Sequence, residues 1–453
     1  MRKHLIVVLP GIGGSVLAPK GRPDEPVWSV GWPDRRLLRH PEMLALDQEL
    51  EPVGLISSLR PVPFWTAITG YERVVAALSD GRNPDPTVLA APYDFRRGIV
   101  PAAQRLDDLV RQRLETLWPG ADHRRRVIVV AHSMGGLVAR YWIGPGGAAG
   151  LCRSLITLGT PHWGAPKALS VMAHGLRIGG VSVLPGLRDV LRTWPGLAQL
   201  LPRYRAVGHA GGLWYPHEVP LPWREWGADP RAAYDLHREI EAAWENLPRS
   251  GTTMVPRIGF GHGTLRDCRW DGAELTVSPA PPAWPELGRW DDERGDGTVP
   301  AFSGLPVEMR QPPEDFLIRR RHGQLGALRE VSALVARLEG RGDLWAYKGD
   351  RRPAVLGLDL EELHAAGTPI PVAASIRGSQ VRTDAGPVWA SVLDVRGRPI
   401  GVDARLEYDG EHRGVLPGLT PGVYRLQATV RGVPGAGDLT TEQTIEVFDD
   451  ADL

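Results

Sequence analysis

The sequence predicts an α/β protein built on a parallel β-sheet that is buried on both faces, followed by a separate all-β unit. Three observations lead to this prediction. Short apolar runs alternate with helical patterns in the first part of the chain, and one run ends in a sharp turn around Ser133. After Pro369 the pattern changes to short strands in which apolar and polar residues alternate.

The strands of the parallel sheet are predicted from runs rich in Val, Ile and Leu: His4–Leu9, Thr87–Ala91, Val127–Ala131, Leu155–Leu158 and Met254–Phe260. Continuous apolar character is typical of strands that are covered on both faces. Helices are predicted between several of these strands: Tyr71–Leu78, Ala102–Leu117, Gly136–Tyr141 and Arg231–Trp244. This alternation favours a doubly wound sheet.

The composition is that of a soluble globular protein, and 453 residues allow two or three domains. Lys and Arg total 53, as do Asp and Glu, so we expect no nucleic-acid partner. The apolar run that starts at His4 ends before Pro10 and is too short for a signal peptide, so it predicts a first strand. Cys152 and Cys268 are expected to be buried free thiols, which favours a cytoplasmic location.

Residues 127–142, VIVVAHSMGGLVARYW, read as a strand, a tight turn and a helix. This context, with a serine in the turn, is the nucleophile elbow of α/β-hydrolases, normally written G-x-S-x-G. The strained turn needs small flanking residues, here Ala131 and Gly135. Ser133 is therefore the predicted nucleophile, and the α/β-hydrolase fold with a cap insertion is the predicted fold of residues 1–346.

A serine hydroxyl needs a base and a carboxylate that orients the base, and in this fold the acid precedes the histidine in the chain. Asp296 is the candidate acid because glycines flank it and let its carboxylate project freely. The rivals Asp291, Asp292 and Glu293 lack such flanks. A plain turn aspartate is the alternative role for Asp296.

His322 is the candidate base, since it lies just before a helical pattern and the pKa of histidine suits proton transfer near neutrality. His262 precedes Asp296 and so breaks the usual order, while His364 and His412 fall in or near the all-β unit. The backbone amides of Met134 and of Ile12, in PGIGGS, are the candidate oxyanion hole. The first strand then fills the third position of the fold, without the usual hairpin before it.

Residues from about 165 to 250 interrupt the alternation, where a hydrolase commonly carries a cap. Half of the 16 tryptophans lie between residues 190 and 300: Trp194, Trp214, Trp223, Trp226, Trp244, Trp270, Trp284 and Trp290. Tryptophan suits boundaries between oil and water, so the segment predicts an acyl-chain tunnel or a transient membrane contact. The alternative is that each tryptophan only fills a small domain. Trp28 and Trp32 fit a lid and simple packing equally well.

Residues 352–453 predict an immunoglobulin-like β-sandwich, because apolar residues occupy every second place in segments such as Val402–Tyr408. Tyr424, which follows a Pro-Gly turn, resembles a tyrosine corner. No polar constellation there suggests catalysis. We expect this unit to bind a protein partner or to serve as a packing module.

Five separated motifs resemble the lecithin:cholesterol acyltransferase family, including its lysosomal phospholipase A and phospholipid:diacylglycerol acyltransferase branches. They are VVLPGIGGSVL, APYDFRRG, AHSMGGLVARYW, TLGTPHWGAP and GDGTVPAFSG with the later His-Gly. The resemblance runs from residue 4 to about residue 340. It implies the triad and oxyanion hole already named, no metal or organic cofactor, and a structural ion pair between Asp94 and Arg96.

The resemblance implies a serine-dependent enzyme that acts on lipid esters. Three hypotheses stay open: hydrolysis of carboxylic esters as a lipase, esterase or phospholipase, transfer of an acyl group to a lipid alcohol, and a non-catalytic binding protein on a hydrolase scaffold. The chain departs from secreted, disulfide-bonded members of the family, and its C-terminal unit is no part of the family pattern.

Overall fold

The computed structural model describes residues 3–29, 37, 39–56, 71–79, 85–178, 181–183, 186–248, 251–278, 295–309, 316–318, 320–325, 329–340, 355–361, 363–377, 386–434 and 436–448. The chain divides into two compact units. The first comprises Met1–Ser58, Val62–Arg177 and Ser182–Arg341, and the second consists mainly of Gly342–Leu453.

The described strands before residue 340 are β1 (Leu5–Leu9), β2 (Ser15–Pro19), β3 (Leu50–Leu55), β4 (Val88–Ala90), β5 (Val127–His132), β6 (Cys152–Leu158), β7 (Leu176–Ile178), β8 (Val181–Val183), β9 (Val207–His209), β10 (Gly212–Trp214), β11 (Thr253–Gly259), β12 (Asp267–Trp270), β13 (Leu275–Ser278) and β14 (Leu317–Ile318). The helices are α1 (Tyr71–Leu78), α2 (Ile99–Leu117), α3 (Met134–Ile143), α4 (Pro166–His174), α5 (Leu187–Arg192), α6 (Pro195–Ala198), α7 (Trp223–Trp226), α8 (Pro230–Glu245) and α9 (Arg329–Leu338). None of these described helices is long and apolar enough to span a membrane.

The main sheet has the strand order β14-β11-β6-β5-β1-β4, and every neighbouring pair is parallel. Strands β1, β4, β5, β6 and β11 and the helices α1, α2, α3 and α8 match the predicted elements to within a few residues at each end, whereas the two-residue strand β14 was not predicted. Because β1 lies between β4 and β5, its position fits the predicted third slot of the fold.

The sheet changes winding direction between β1 and β5. From β1 the chain moves to β4 on one side, and from β5 it moves to β6, β11 and β14 on the other side. Open α/β sheets bind their ligands at such a switch point, beyond the carboxyl ends of the strands. Ser133, directly after β5, and the loop after β1 both lie at this place.

Both faces of the main sheet are buried, which explains its continuously apolar strands. On one face, side chains of α1 and α9, such as Val74 and Val335, join a core with Ile6 and Val130 of the sheet. On the other side α2 packs near α3, where the Trp142 indole N–H donates to Asp107 at 2.9 Å.

The segment between β6 and β11 holds α4 to α8, and its strands β9 and β10 form a small second sheet with β12 and β13 in the order β10-β9-β12-β13. Strand β9 pairs in parallel with β12. The sheet therefore takes in residues up to Ser278, past the predicted end of the cap near residue 250. Local patterns could not show this, because the pairing joins segments about 60 residues apart.

The second unit is all-β. Its strands are β15 (Val355–Asp359), β16 (Leu363–Ala365), β17 (Ile370–Arg377), β18 (Val388–Leu393), β19 (Pro399–Tyr408), β20 (His412–Leu416), β21 (Gly422–Val433) and β22 (Gly437–Phe448), in the order β15-β17-β20-β19-β18-β21-β22-β16. Strand β19 pairs with β18 along most of its length and with β20 at its end. Residues of β15 and β17 share one core with residues of β18, β21 and β22, which fits a sandwich.

The tyrosine predicted to form a corner makes the expected bond in this unit. The Tyr424 hydroxyl donates to the carbonyl oxygen of Thr420 at 3.0 Å. Strands β15, β16 and β20 were not predicted, since each is short and the last contains a central glycine.

Candidate active site

Ser133 lies in a strained turn between β5 and α3. Its φ of 52° and ψ of −126° are unusual for a residue with a side chain, and such conformations cost on the order of 1–3 kcal/mol. Two backbone bonds hold the turn: the Ser133 N–H donates to Leu158 at 2.9 Å, and the Gly136 N–H donates to the Ser133 carbonyl at 2.9 Å. The turn thus has the backbone geometry of a nucleophile elbow.

The loop after β1 lies directly against this turn. A Cβ atom on Gly135 would collide with the carbonyl oxygen of Pro10, so only glycine fits there. A Cβ atom on Gly11 would stand 2.9 Å from the Ser133 Cβ and 3.4 Å from its Oγ. Ile12 follows Gly11, and Met134 opens α3, so both candidate oxyanion donors lie beside the serine, and both residues are buried.

Asp296 is buried in a loop that fixes both of its carboxylate oxygens. Its Oδ1 accepts the backbone N–H groups of Thr298 at 2.9 Å and Val299 at 2.7 Å. Its Oδ2 accepts the Nδ1–H group of His322 at 2.7 Å. Gly297, with a φ of 91°, allows the chain to turn sharply after the aspartate.

His322 begins a single 3₁₀ turn, His322–Gln324, and its ring is fully buried. Its backbone N–H donates to the Asp296 carbonyl at 2.9 Å, so main chain and side chain join the same two residues. The Ser133 Oγ and His322 Nε2 atoms are both buried and lack a hydrogen-bond partner among the described residues. A serine and a base that form no hydrogen bond with each other are common before substrate binds.

The sequence offered three acidic residues and three histidines as rivals for these roles. Asp291, Asp292 and Glu293 fall outside the described residues. His262 pairs with Asp296 through a backbone bridge, and its backbone N–H donates to the Gly295 carbonyl oxygen at 2.9 Å. His364 and His412 belong to strands β16 and β20 of the second unit.

His132, the residue before the serine, has a role that the sequence did not suggest. Its Nδ1 lies 2.9 Å from the Tyr71 hydroxyl, and its Nε2 lies 3.1 Å from the His322 carbonyl oxygen. Burial, and next the nearby His322 ring, hold the pKa of His132 well below its usual value. The ring therefore stays neutral. Only its place inside the G-x-S-x-G-like motif could have singled it out.

A second hydrogen-bond network is centred on Arg140 of α3, the helix that follows the serine turn. Arg140 of α3 donates to Nδ1 of His162 at 2.9 Å and binds both carboxylate oxygens of Glu308, at 2.7 and 2.9 Å. Burial lowers the pKa of His162, and the Arg140 charge adds to the effect. His162 belongs to the TPHWGAP motif, and the sequence alone predicted no contact for it.

The remaining predicted positions serve packing. Arg96 is fully buried and forms the expected bidentate pair with Asp94, at 2.9 and 2.8 Å. Trp28 is buried, and its indole N–H donates to the Gly13 carbonyl at 2.8 Å, which favours packing over a lid. Trp32 lies outside the described residues.

The tryptophans of the cap segment differ in exposure. Trp194, Trp226 and Trp244 are buried, whereas Trp214 is 42% exposed. Trp223 and Trp270 are half-buried, and Trp284 and Trp290 lie outside the described residues. In the described part of the chain, no group of three or more His, Cys, Asp or Glu could hold a metal ion.

Comparisons with known proteins show a similarity to one family over part of the chain. No curated protein matches the sequence significantly. A solved lipase from Bacillus licheniformis in propeptide form aligns with a TM-score of 0.30 and 11% identity, over 77% of this chain and 84% of the lipase. A CARDB domain from Pyrococcus furiosus, solved with metal ions, aligns with a TM-score of 0.14 and 12% identity, over 22% of this chain and 96% of that domain. The family model described as lecithin:cholesterol acyltransferase matches residues 62–228. Through this segment, which holds the strained serine turn, the chain is similar to the lecithin:cholesterol acyltransferase family.

Proposed function

We propose that this protein is a serine hydrolase that cleaves carboxylic esters of lipids through an acyl-enzyme. The observation that carries the proposal is the buried His322–Asp296 pair, 2.7 Å apart, at the same sheet edge as the strained Ser133 turn. A hydroxyl, an imidazole and a carboxylate in this order are the components of a Ser-His-Asp triad.

In the proposed mechanism the Ser133 Oγ attacks the ester carbonyl while the Nε2 atom of His322 takes the hydroxyl proton. Asp296 holds the other ring nitrogen protonated and stabilises the imidazolium that forms. The tetrahedral oxyanion accepts the backbone N–H groups of Ile12 and Met134. His322 then protonates the leaving alcohol, and water releases the acyl group by the reverse sequence.

The family match supports a lipid substrate, since the family description names an acyltransferase that uses lecithin and cholesterol. We infer that the cap touches lipid transiently through Trp214, the exposed tryptophan at the end of β10. The two buried free thiols, Cys152 and Cys268, support a reducing, cytoplasmic location. We also propose that the all-β unit binds a protein partner.

The test combines a panel of lipid esters with a fluorophosphonate probe, applied to the wild type, Ser133→Ala and a control, Ser154→Ala. Ser154 is a buried serine of β6 outside the proposed triad. We expect Ser133→Ala to lose the label and to lose turnover by several orders of magnitude, while Ser154→Ala keeps both.

Product analysis separates the hypotheses. Free fatty acid in water indicates hydrolysis, and a new ester formed when a lipid alcohol is added indicates acyl transfer. If the wild type neither turns over any ester nor takes the label at Ser133, the chain is a binding protein on a hydrolase scaffold, and the proposal is wrong.

A further inference from the structure

Three buried hydrogen bonds run in series beneath the serine turn. The Gly11 N–H donates to the Tyr71 hydroxyl at 2.8 Å. The same hydroxyl lies 2.9 Å from Nδ1 of His132. The Nε2 atom of His132 lies 3.1 Å from the carbonyl oxygen of His322. Both Tyr71 and His132 are about 2% exposed or less.

The chemistry of the end groups fixes the direction of every bond. A carbonyl oxygen can only accept, so the His132 proton resides on Nε2. A neutral ring with its proton on Nε2 accepts at Nδ1, so the Tyr71 hydroxyl must donate to it. The hydroxyl oxygen is then left to accept from Gly11. Burial also raises the pKa of the Tyr71 phenol, which keeps its proton in place.

The two ends of this series lie in the proposed oxyanion loop and in the loop that carries the proposed base. Gly11 immediately precedes Ile12, whose amide is the proposed oxyanion donor. The carbonyl at the other end belongs to His322, the proposed base. His132 itself is bonded to Ser133 in the chain, and its ring lies 4.6 Å from the His322 ring, centroid to centroid.

We propose that Tyr71 and His132 are positioning residues that set the oxyanion loop and the base-bearing loop at fixed distances from Ser133. The inference rests on the proposed function and deepens it. Neither side chain touches the substrate. Their effect is geometric, and misplacement of reacting groups by about 1 Å can cost about a hundredfold in rate.

Tyr71→Phe is the first test, because it removes one hydroxyl and keeps the ring that packs in the core. We expect kcat and the rate of fluorophosphonate labelling to fall about ten- to a hundredfold, with KM within about twofold of wild type. Tyr204→Phe is the matched control. Tyr204 is also fully buried, and its hydroxyl donates to the Arg266 carbonyl at 2.8 Å, so a similar loss in Tm is expected without the loss in kcat.

His132→Gln and His132→Asn test the two hydrogen bonds of the His132 ring separately. The glutamine amide reaches the place of Nε2 and can still donate to the His322 carbonyl, whereas the shorter asparagine amide reaches only the place of Nδ1, where its oxygen can accept from Tyr71. Because one series of bonds is involved, the effects of Tyr71→Phe and His132→Asn on kcat should be strongly non-additive in the double variant. Glutamine should restore more activity than asparagine.

The inference is overturned if Tyr71→Phe labels and turns over within about twofold of wild type, or if its losses follow Tm as they do in Tyr204→Phe. Additive losses in the double variant overturn it as well. If the wild type itself shows no labelling at Ser133, the proposed function is wrong and this inference falls with it. Labelled wild type with an unaffected Tyr71→Phe rejects the positioning role alone.

Discussion

The Nδ1 atom of His322 faces Oδ2 of Asp296 at 2.7 Å, while Oδ1 of the same carboxylate accepts two backbone N–H groups. The two oxygens of Asp296 are therefore not equivalent. The backbone of the GDGTV loop requires an acceptor at Oδ1. The second oxygen, Oδ2, is left to hold the proton of the His322 ring on Nδ1. This division gives a specific expectation for an amide at the same position.

Asp296→Asn should lower kcat by about 10³- to 10⁴-fold with little change in KM. The Asn oxygen must take the place of Oδ1 to satisfy Thr298 and Val299, so the NH₂ group points at His322 Nδ1. The amide then donates, the ring proton moves to Nε2, and Nε2 can no longer accept a proton from Ser133. Steady-state ester hydrolysis measures the loss.

Asp267→Asn serves as the control for the aspartate variant. Asp267 lies in β12, outside the proposed triad, so replacing it should leave kcat unchanged. Partial burial raises the pKa of its carboxyl, so the fold should tolerate a neutral side chain there. Equal activity losses in the Asp296→Asn and Asp267→Asn proteins would contradict the assigned role of Asp296.

Gly164→Ala should destabilise the fold by at least about 2 kcal/mol, because backbone strain and a steric collision combine. Gly164 has a φ of 75°, and a Cβ there would collide with the carbonyl oxygen of Leu201. Urea denaturation measures the change in the free energy of unfolding. Gly147→Ala is the matched control, since its φ of 74° is the same but its Cβ would meet nothing within 4 Å.

The difference between these two variants isolates the collision from the backbone strain. We expect Gly147→Ala to cost only about 1 kcal/mol. A Gly164→Ala protein as stable as Gly147→Ala would show that the close approach of the TPHWGAP motif to Leu201 is absent in solution.

The stability of the protein should fall as the pH drops from about 6.5 toward 4. Burial lowers the pKa of His237 from 6.5 to about 4, while its Nε2–H donates to the Gln199 carbonyl at 2.8 Å. Between these two values the unfolded chain binds a proton that the folded chain does not, so stability is complete above pH 6.5 and is lost on acidification. The lowered pKa values of the buried His132 and His162 act in the same direction.

The free energy of unfolding should depend less steeply on pH in His237→Gln than in the wild type. One proton fewer is bound on unfolding, which lowers the slope by about 1.4 kcal/mol per pH unit. Denaturant titrations at several pH values measure the slope. His40→Gln, at an exposed position, should leave it unchanged. An identical slope in wild type and His237→Gln would contradict the assignment.

Much of the first unit could be predicted because its signals are local. The apolar run before Ser133 and the helical pattern after it define β5, the turn and α3 without any knowledge of distant residues. The same holds for the alternating strands of the second unit, whose pattern has a period of two.

The partners that support the site could not be predicted in this way. The bond between Tyr71 and His132 joins residues 61 positions apart, and that between His132 and His322 joins residues 190 apart. The pairing of Arg140 with Glu308 spans 168 positions. Neither composition nor periodicity carries information on which of thirteen histidines will meet which loop.

The sequence by itself determined the chemical identities: a serine in a strand-turn-helix motif, an aspartate between glycines, and a histidine ahead of a helix. It also determined that the parallel strands are buried on both faces, since their runs are continuously apolar. The tertiary structure alone decided which atoms meet. Hydrogen bonds act over about 3 Å, and only a fold that brings the ends of β1 and β5 to one edge can set distant side chains within that range.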